Sequence, residues 1–408
     1  MLADRYGNLA GGTGGTSVDG FGRLRVGEPF TMFESSNRFQ TANDKFSTAT
    51  VGTASTSFVA TDGCVNLTIS TDSTDSVIRE TKKVFAYQPG KSLLVLNTFT
   101  MAAPKANLTQ RVGYFGADNG VYLEQENTTA YIVMRSQSTG ANVTNNRIAQ
   151  NDWNVDKFDG NGPSGKILDL TKSQIFWSDF EWLGVGTVRT GFVIDGSLFI
   201  AHQFHHANRG TSTYMTTACL PVRYEIFNTG ITSSGSTMKQ ICTSVISEGG
   251  YSQITTTRSI SNSIAGKTLP SGGTKTPMIS IKLRNGRTDG IVIPATVTVY
   301  GFQNTPFKLY LMKDVALQNT TWQTTDNESS VYYDLNANTV TGGIVLYETV
   351  FSGQETVSPM NLIENFNHSL QLTRDLGQAN GNIFTVVIES TTNNDKAIAS
   401  LSWQEHTI

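Results

Sequence analysis

The chain has 408 residues, of which 15% are charged and 38 are glycine; Thr, Ser, Asn and Gly stand where helical proteins put Glu, Lys and Arg on solvated faces. With 30 basic and 33 acidic residues the net charge is −3, so the basic excess that neutralises phosphates in a nucleic-acid binder is missing. No run of 18 apolar residues could form a transmembrane helix, and the opening MLADRYGNLAGG lacks the basic-then-apolar order of a secretory signal. The expectation is an all-β protein made in a cytoplasm, with no nucleic-acid partner and no membrane insertion.

Residues 1–45 read as an extended N-terminal arm. GGTGGTSVDGFG is too glycine-rich to pack a core, and RLRVGEPFTMFESSNRF follows it. Leu24, Val26, Phe30, Met32, Phe33 and Phe39 give that segment apolar side chains without a core of its own. Such an arm is expected to dock on the body or on a neighbouring subunit.

Residues 46–265 read as a domain of many short strands. RVGYFGADNGVYLEQENTTAYIVMRS forms a meander, with Asn119–Gly120 and Asn127 at its turns. Phe176, Phe180 and Trp182 fall at even spacing, which places them on one face of a strand. VGTVRTGFVIDGSLFIAHQF is a hairpin whose Asp195–Gly196 suits a type I′ turn. Long meanders of this kind resemble the two-sheet jelly rolls of lectin-like domains. Residues 258–276, rich in Ser, Gly and Pro, read as a boundary. Residues 266–408 then hold seven short strands, enough for a second, smaller β-sandwich. Pro294 marks an edge or a bulge there, and NLIENFNHSLQL the one short helix.

Few constellations carry chemistry. Asp179 and Glu181 in SDFEW lie two apart, as a glycosidase pair on one strand face would. His202, His205 and His206 cluster in AHQFHHAN; a metal there would need a further ligand, which Asp179 or Glu181 could supply from a neighbouring strand, and strand-end histidines with hydrogen-bond partners are the plainer reading. Asp152, Asp156, Asp159, Asn161 and Asp169 loosely suggest a calcium loop but lack the EF-hand order. Cys64, Cys219 and Cys242 are odd in number and without metal spacing, so they read as reduced and buried. Neither a GxSxG elbow nor a phosphate-loop ending occurs. The reading is a non-enzyme with no catalytic residue, cofactor or metal. Trp153 and Tyr122 are its candidate glycan contacts.

Several stretches resemble a family of tailed-bacteriophage virion structural proteins. They are SVDGFGRLRVGEPFTMFESSNRF (17–39), RVGYFGADNGVYLEQ (111–125), WNVDKFDGNGPSGKILD (153–169), FWSDFEWLGVGTVRTGFVIDG (176–196), YMTTACLPVRYEI (214–226) and SEGGY (247–251). The resemblance implies a structural component of a virion, with other copies of itself and other virion proteins as partners. The expected place is the tail, baseplate or fibre apparatus, with oligomer assembly through the N-terminal arm. The alternatives are a capsid decoration protein or a receptor-recognition module that binds host-surface polysaccharide.

Overall fold

The computed structural model describes residues 29–138, 140, 142–250, 255–270, 272–354, 360–366, 370–376 and 381–406. The chain is all-β. Among the described residues, its helical elements are the five-residue Leu362–Phe366 and a 3₁₀ turn at Gln150–Asp152. It divides into two compact units, Met1–Ser252 and Gln253–Ile408.

The first unit is a sandwich of two large antiparallel sheets. One has eight strands, in the order Ser197–Phe204, Val188–Ile194, Gln174–Phe180, Ser92–Thr100, Ser236–Glu248, Cys64–Ile69 and Ser55–Val59, with Phe30–Ser36 also paired to Ser236–Glu248. The other has seven, in the order Thr144–Ala149, Thr129–Ser136, Gly120–Glu126, Leu108–Phe115, Val222–Asn228, Ser76–Thr81 and Phe46–Val51. Alternation puts one apolar set of each strand between the sheets. Phe176, Phe180, Val188 and Phe192 come from the first sheet, and Val112, Tyr114, Leu123 and Ile132 from the second. Tyr114 and Phe180 meet across the sandwich with ring centroids 4.9 Å apart. The hairpin turn has Asp195 at φ 52° and Gly196 at φ 76°, the left-handed pair that a type I′ turn requires.

The last two long strands of this unit are central in their sheets. Val222–Asn228 lies between Ser76–Thr81 and Leu108–Phe115, and Ser236–Glu248 lies between Cys64–Ile69 and Ser92–Thr100. Neither sheet is complete until the end of the unit has been added. Ser236–Glu248 is also long enough to take two partners on one side. Its first half pairs with Cys64–Ile69, from Ser236↔Ile69 to Gln240↔Val65. Its second half pairs with Phe30–Ser36, from Ser36↔Cys242 to Phe30↔Ser247. Residues 30–36, read from sequence as part of an arm, are therefore a strand of the body's own sheet.

The second unit packs two five-stranded sheets. One runs Thr256–Ser261, Asp395–His406, Ile291–Gly301, Met360–Asn361, with Lys267–Leu269 also on Asp395–His406. The other runs Val331–Asp334, Thr276–Leu283, Phe384–Ser390, Pro306–Lys313, Ile344–Ser352. Trp403, Leu401, Leu309, Leu311, Val386 and Ile388 are among the buried residues of this core. Pro294 sits at a bulge, where the register shifts between Pro294 and Thr296. The boundary lies at 252–253 instead of 265–266, because the polar stretch 256–261 is a strand on Asp395–His406. Its Ile260 packs on the second core, and its Arg258 bridges Asp326 and Glu405. The periodicity of these two side chains outweighs the linker-like composition around them.

Candidate functional site

The carboxylates singled out by sequence do not form a pair. Asp179 projects from Gln174–Phe180 on the face opposite Phe176 and Phe180, directly across from Arg189. Its carboxylate accepts from the Arg189 guanidinium and from the Ser92 hydroxyl. Glu181 lies just past the strand end. Its N–H donates to the Thr187 carbonyl, and its carboxylate accepts the Thr187 N–H at 3.0 Å. Residues 181–187 thus close a tight loop on their own glutamate. A Cβ at Gly186 would fall 1.8 Å from the Glu181 carbonyl oxygen, so the loop needs glycine there. The Trp182 indole N–H ties the loop to Met215 O at 3.3 Å. The expectation that Asp179 and Glu181 share a face fails because the strand ends between them. Both acceptors serve internal donors, an arrangement that holds structure and leaves no acid and base flanking a common space.

The histidines are likewise occupied one by one. His202 is buried and its Nδ1 accepts the Asn154 N–H at 3.2 Å. Burial pushes its pKa down to about 4. His205 contacts the Thr187 hydroxyl, and His206 Nδ1 lies 2.8 Å from Gly186 O. His206 also stacks on Tyr214 at 4.1 Å. Among the described residues no three His, Cys, Asp or Glu side chains converge on a metal position. The three cysteines are free thiols, with Cys64 and Cys219 buried and Cys242 half-buried.

The aspartate-rich loop folds on its own carboxylates. Asp156 accepts the Phe158 N–H at 2.9 Å and the Ser164 N–H at 2.7 Å. Asp159 takes the Asn161 N–H, and Asp169 takes the Thr171 hydroxyl and N–H. These hydrogen bonds hold the Asp159 and Asp169 carboxyls below their ordinary pKa.

Trp153 and Tyr122, the expected glycan contacts, are both inside, at 2% and 0% exposure. Trp153 packs on Phe158 and Phe192, and its indole N–H donates to Ile148 O. Tyr122 lies beneath the guanidinium groups of Arg111 and Arg135, and its hydroxyl accepts from Arg135 at 3.0 Å. Neither ring offers a face on which a sugar could stack.

The densest polar constellation was not found from sequence. It lies on the outer face of the seven-stranded sheet. Glu80, Arg223, Glu225, Arg111, Glu124, Arg147 and Glu126 form one chain of alternating charge. Successive contacts are 2.5, 2.9, 3.1, 2.6, 2.6 and 2.6 Å. Register builds it, because Arg223 is opposite Glu80, Arg111 is opposite Glu225, and Glu124 is opposite Arg111. Arg147 reaches Glu124 from the edge strand, over the ring of Tyr131, which is opposite Glu124. Burial disfavours the charge on Arg223, but Glu80 and Glu225 outweigh it and its pKa moves up. Arg111 behaves in the same way, against Tyr122, Glu225 and Glu124. The ladder is a rigid, nearly neutral ionic face. Its carboxylates bind guanidinium groups, so it stiffens the sheet and offers no nucleophile.

The arm residues separate into three kinds. Leu24 and Val26 lie outside the described residues. Phe33 is buried, with its ring 5.1 Å from Phe85 and 5.9 Å from Phe46, and Met32 packs partly against the same core. Phe30 is half-buried, and Phe39 is 83% exposed.

No protein-family model matches the chain, and no curated protein matches it. Solved structures to which it is similar include the carbohydrate recognition domain of Emp47p, at 10% identity and a TM-score of 0.33, covering 52% of this chain and 96% of that one. A legume lectin-like domain from Entamoeba histolytica is 9% identical with a TM-score of 0.32, covering 54% and 97%. The CBM2 module of an evolved Dit from Lactobacillus casei BL23 phage J-1 is 8% identical with a TM-score of 0.36, covering 55% and 99%.

Proposed function

We propose that the chain is a non-enzymatic structural component of a tailed-bacteriophage virion, placed in the tail, baseplate or fibre apparatus and assembled with copies of itself through the residues ahead of Pro29. The observation that carries this reading is the internal use of the groups that chemistry would recruit. Asp179, Glu181, His202, His206 and Asp156 each serve a neighbour in the fold. The motif resemblance supplies the particle, and the all-β architecture suits a building block. The low net charge keeps repulsion small where like subunits meet.

The test is the number of copies per purified virion, by quantitative mass spectrometry against the major capsid protein. A few to a few tens of copies is the expected result. Hundreds would move the protein to the capsid lattice as a decoration. Absence from the particle would overturn the structural reading.

A further inference from the structure

The strand Ile344–Ser352 forms one border of its five-stranded sheet, and among the described residues it pairs only with Pro306–Lys313. It is nine residues long, IVLYETVFS, bounded by Gly342–Gly343 and Gly353. Natural edge strands are usually short, or guarded by lysine, proline or inward charge. This one has no lysine, proline or inward charge; its one irregularity is a bulge at Leu346, where the register with Pro306–Lys313 shifts, and Ile344, Val345 and Val350 are 49%, 41% and 61% exposed. Its single charge, Glu348, makes a surface pair with Lys308 at 3.1 Å. At its C-terminal end Val350, Phe351 and Ser352 join Asn304, Thr305 and Pro306 around an open hollow of about 410 Å³. An apolar cavity of about 150 Å³ already holds a benzene ring, so an aromatic side chain fits.

We infer that this edge accepts, by antiparallel strand addition, the segment Phe21–Val26 of a second copy of the chain. Strand addition takes its affinity from main-chain hydrogen bonds and its specificity from alternate side chains. The segment FGRLRV alternates as such a donor must, with Phe21, Arg23 and Arg25 on one side and Leu24 and Val26 on the other. One register seats Phe21 at the hollow and forms an ion pair. Phe21 falls opposite Val350 at the hollow, Arg23 opposite Glu348, Leu24 opposite Tyr347, and Val26 opposite Val345. Slipping by one residue would put Arg23 on the core side, opposite Tyr347 or Thr349, and remove the ion pair. The donor lies within the 28 residues that precede Pro29. A chain of that length spans up to roughly 90 Å when extended, enough to reach another molecule. The inference rests on the assembly reading above and names the surface that assembly uses.

The test is sedimentation velocity of the full chain with charge exchange. Wild type is expected to self-associate. Arg23→Glu and Glu348→Arg should each weaken association about fivefold, since each sets like charges opposite, and the double variant should recover it. Val350→Lys should weaken it without recovery in any charge-swapped partner. A monomeric wild type, or single-variant losses that the double variant does not restore, overturns the inference. The virion count is independent of this result. A correct copy number with no charge rescue removes the acceptor edge alone, and rescue with no copies in the particle removes the virion alone.

Discussion

Cutting the chain ahead of Pro29 and cutting it after Gln40 should give opposite results, although both cuts fall within the arm, residues 1–45, as sequence alone would draw it. Residues 30–36 contribute six Cα pairings to Ser236–Glu248. Phe33 buries its ring against Phe85 and Phe46, and the Asn37 amide donates to Gln240 O at 3.0 Å and Ile241 O at 3.2 Å. The backbone bonds of the strand, at about 1 kcal/mol net each, are roughly offset by the entropy of ordering seven residues. What remains is the core. Removing a buried phenylalanine costs about 3–5 kcal/mol. For a unit of this size each kcal/mol is worth about 2–4 °C, so the first-unit transition should fall by roughly 6–20 °C. Differential scanning calorimetry of the full chain, the 29–408 and 41–408 truncations and Phe33→Ala would read this. The 29–408 form should melt with the full chain, while 41–408 and Phe33→Ala should both fall. Phe39→Ala, at an exposed ring, should stay within about 0.5 kcal/mol. If 41–408 melted with the full chain, the strand would be a passenger and the assignment of residues 30–36 to this sheet would be wrong.

Two glycines of one hairpin should respond differently to alanine. At Gly196 the surroundings are open and φ is +76°, so the cost is torsional, about 1–2 kcal/mol; at Gly191 a Cβ would lie 1.9 Å from Phe199 O, so the cost should exceed about 3 kcal/mol. Equal melting shifts would refute the bulge beside Thr190. Burial holds the folded His202 pKa at about 4, below its ordinary 6.5; the unfolded chain takes up the proton first, so stability is lost as pH falls from 6.5 to 4, by on the order of 2 kcal/mol after allowing for solvent screening. His202→Gln should flatten part of that limb in urea titrations at stepped pH, and an unchanged slope would refute it. Lys267 donates to Pro277 O, Leu335 O and Ala337 O at 2.8, 2.8 and 2.6 Å. Burial lowers its pKa to about 8, so second-unit stability should rise between pH 8 and 10.5 in wild type and not in Lys267→Met, which should itself cost about 2–4 kcal/mol at pH 7. Arg111→Met should cost about 3–5 kcal/mol, because Glu124 and Glu225 lose the guanidinium between them; a variant as stable as wild type would show that the ladder carries no weight.

What could be read from the sequence was local. The Asp195–Gly196 turn, the Phe176 and Phe180 alternation and the seven C-terminal strands each declare themselves within ten residues, through backbone conformation or period two. The ladder could not be read, because its members meet only through register. Glu80 and Arg223 are 143 residues apart, and Arg111 and Glu225 are 114 apart. Trp153 and Tyr122 were misplaced for a related reason. Alternation puts an aromatic on a face, but whether that face stays open depends on what reaches over it, and over Tyr122 these are Arg111 and Arg135. The arm was misread by the same limit. FGRLRV and FTMFESS both look like strands searching for a sheet, and nothing in either run says whose. Phe30–Ser36 finds its place because Ser236–Glu248 extends beyond the end of Cys64–Ile69 and leaves half an edge open. Ile344–Ser352, in the second unit, is a longer sheet border, apolar and broken by one bulge.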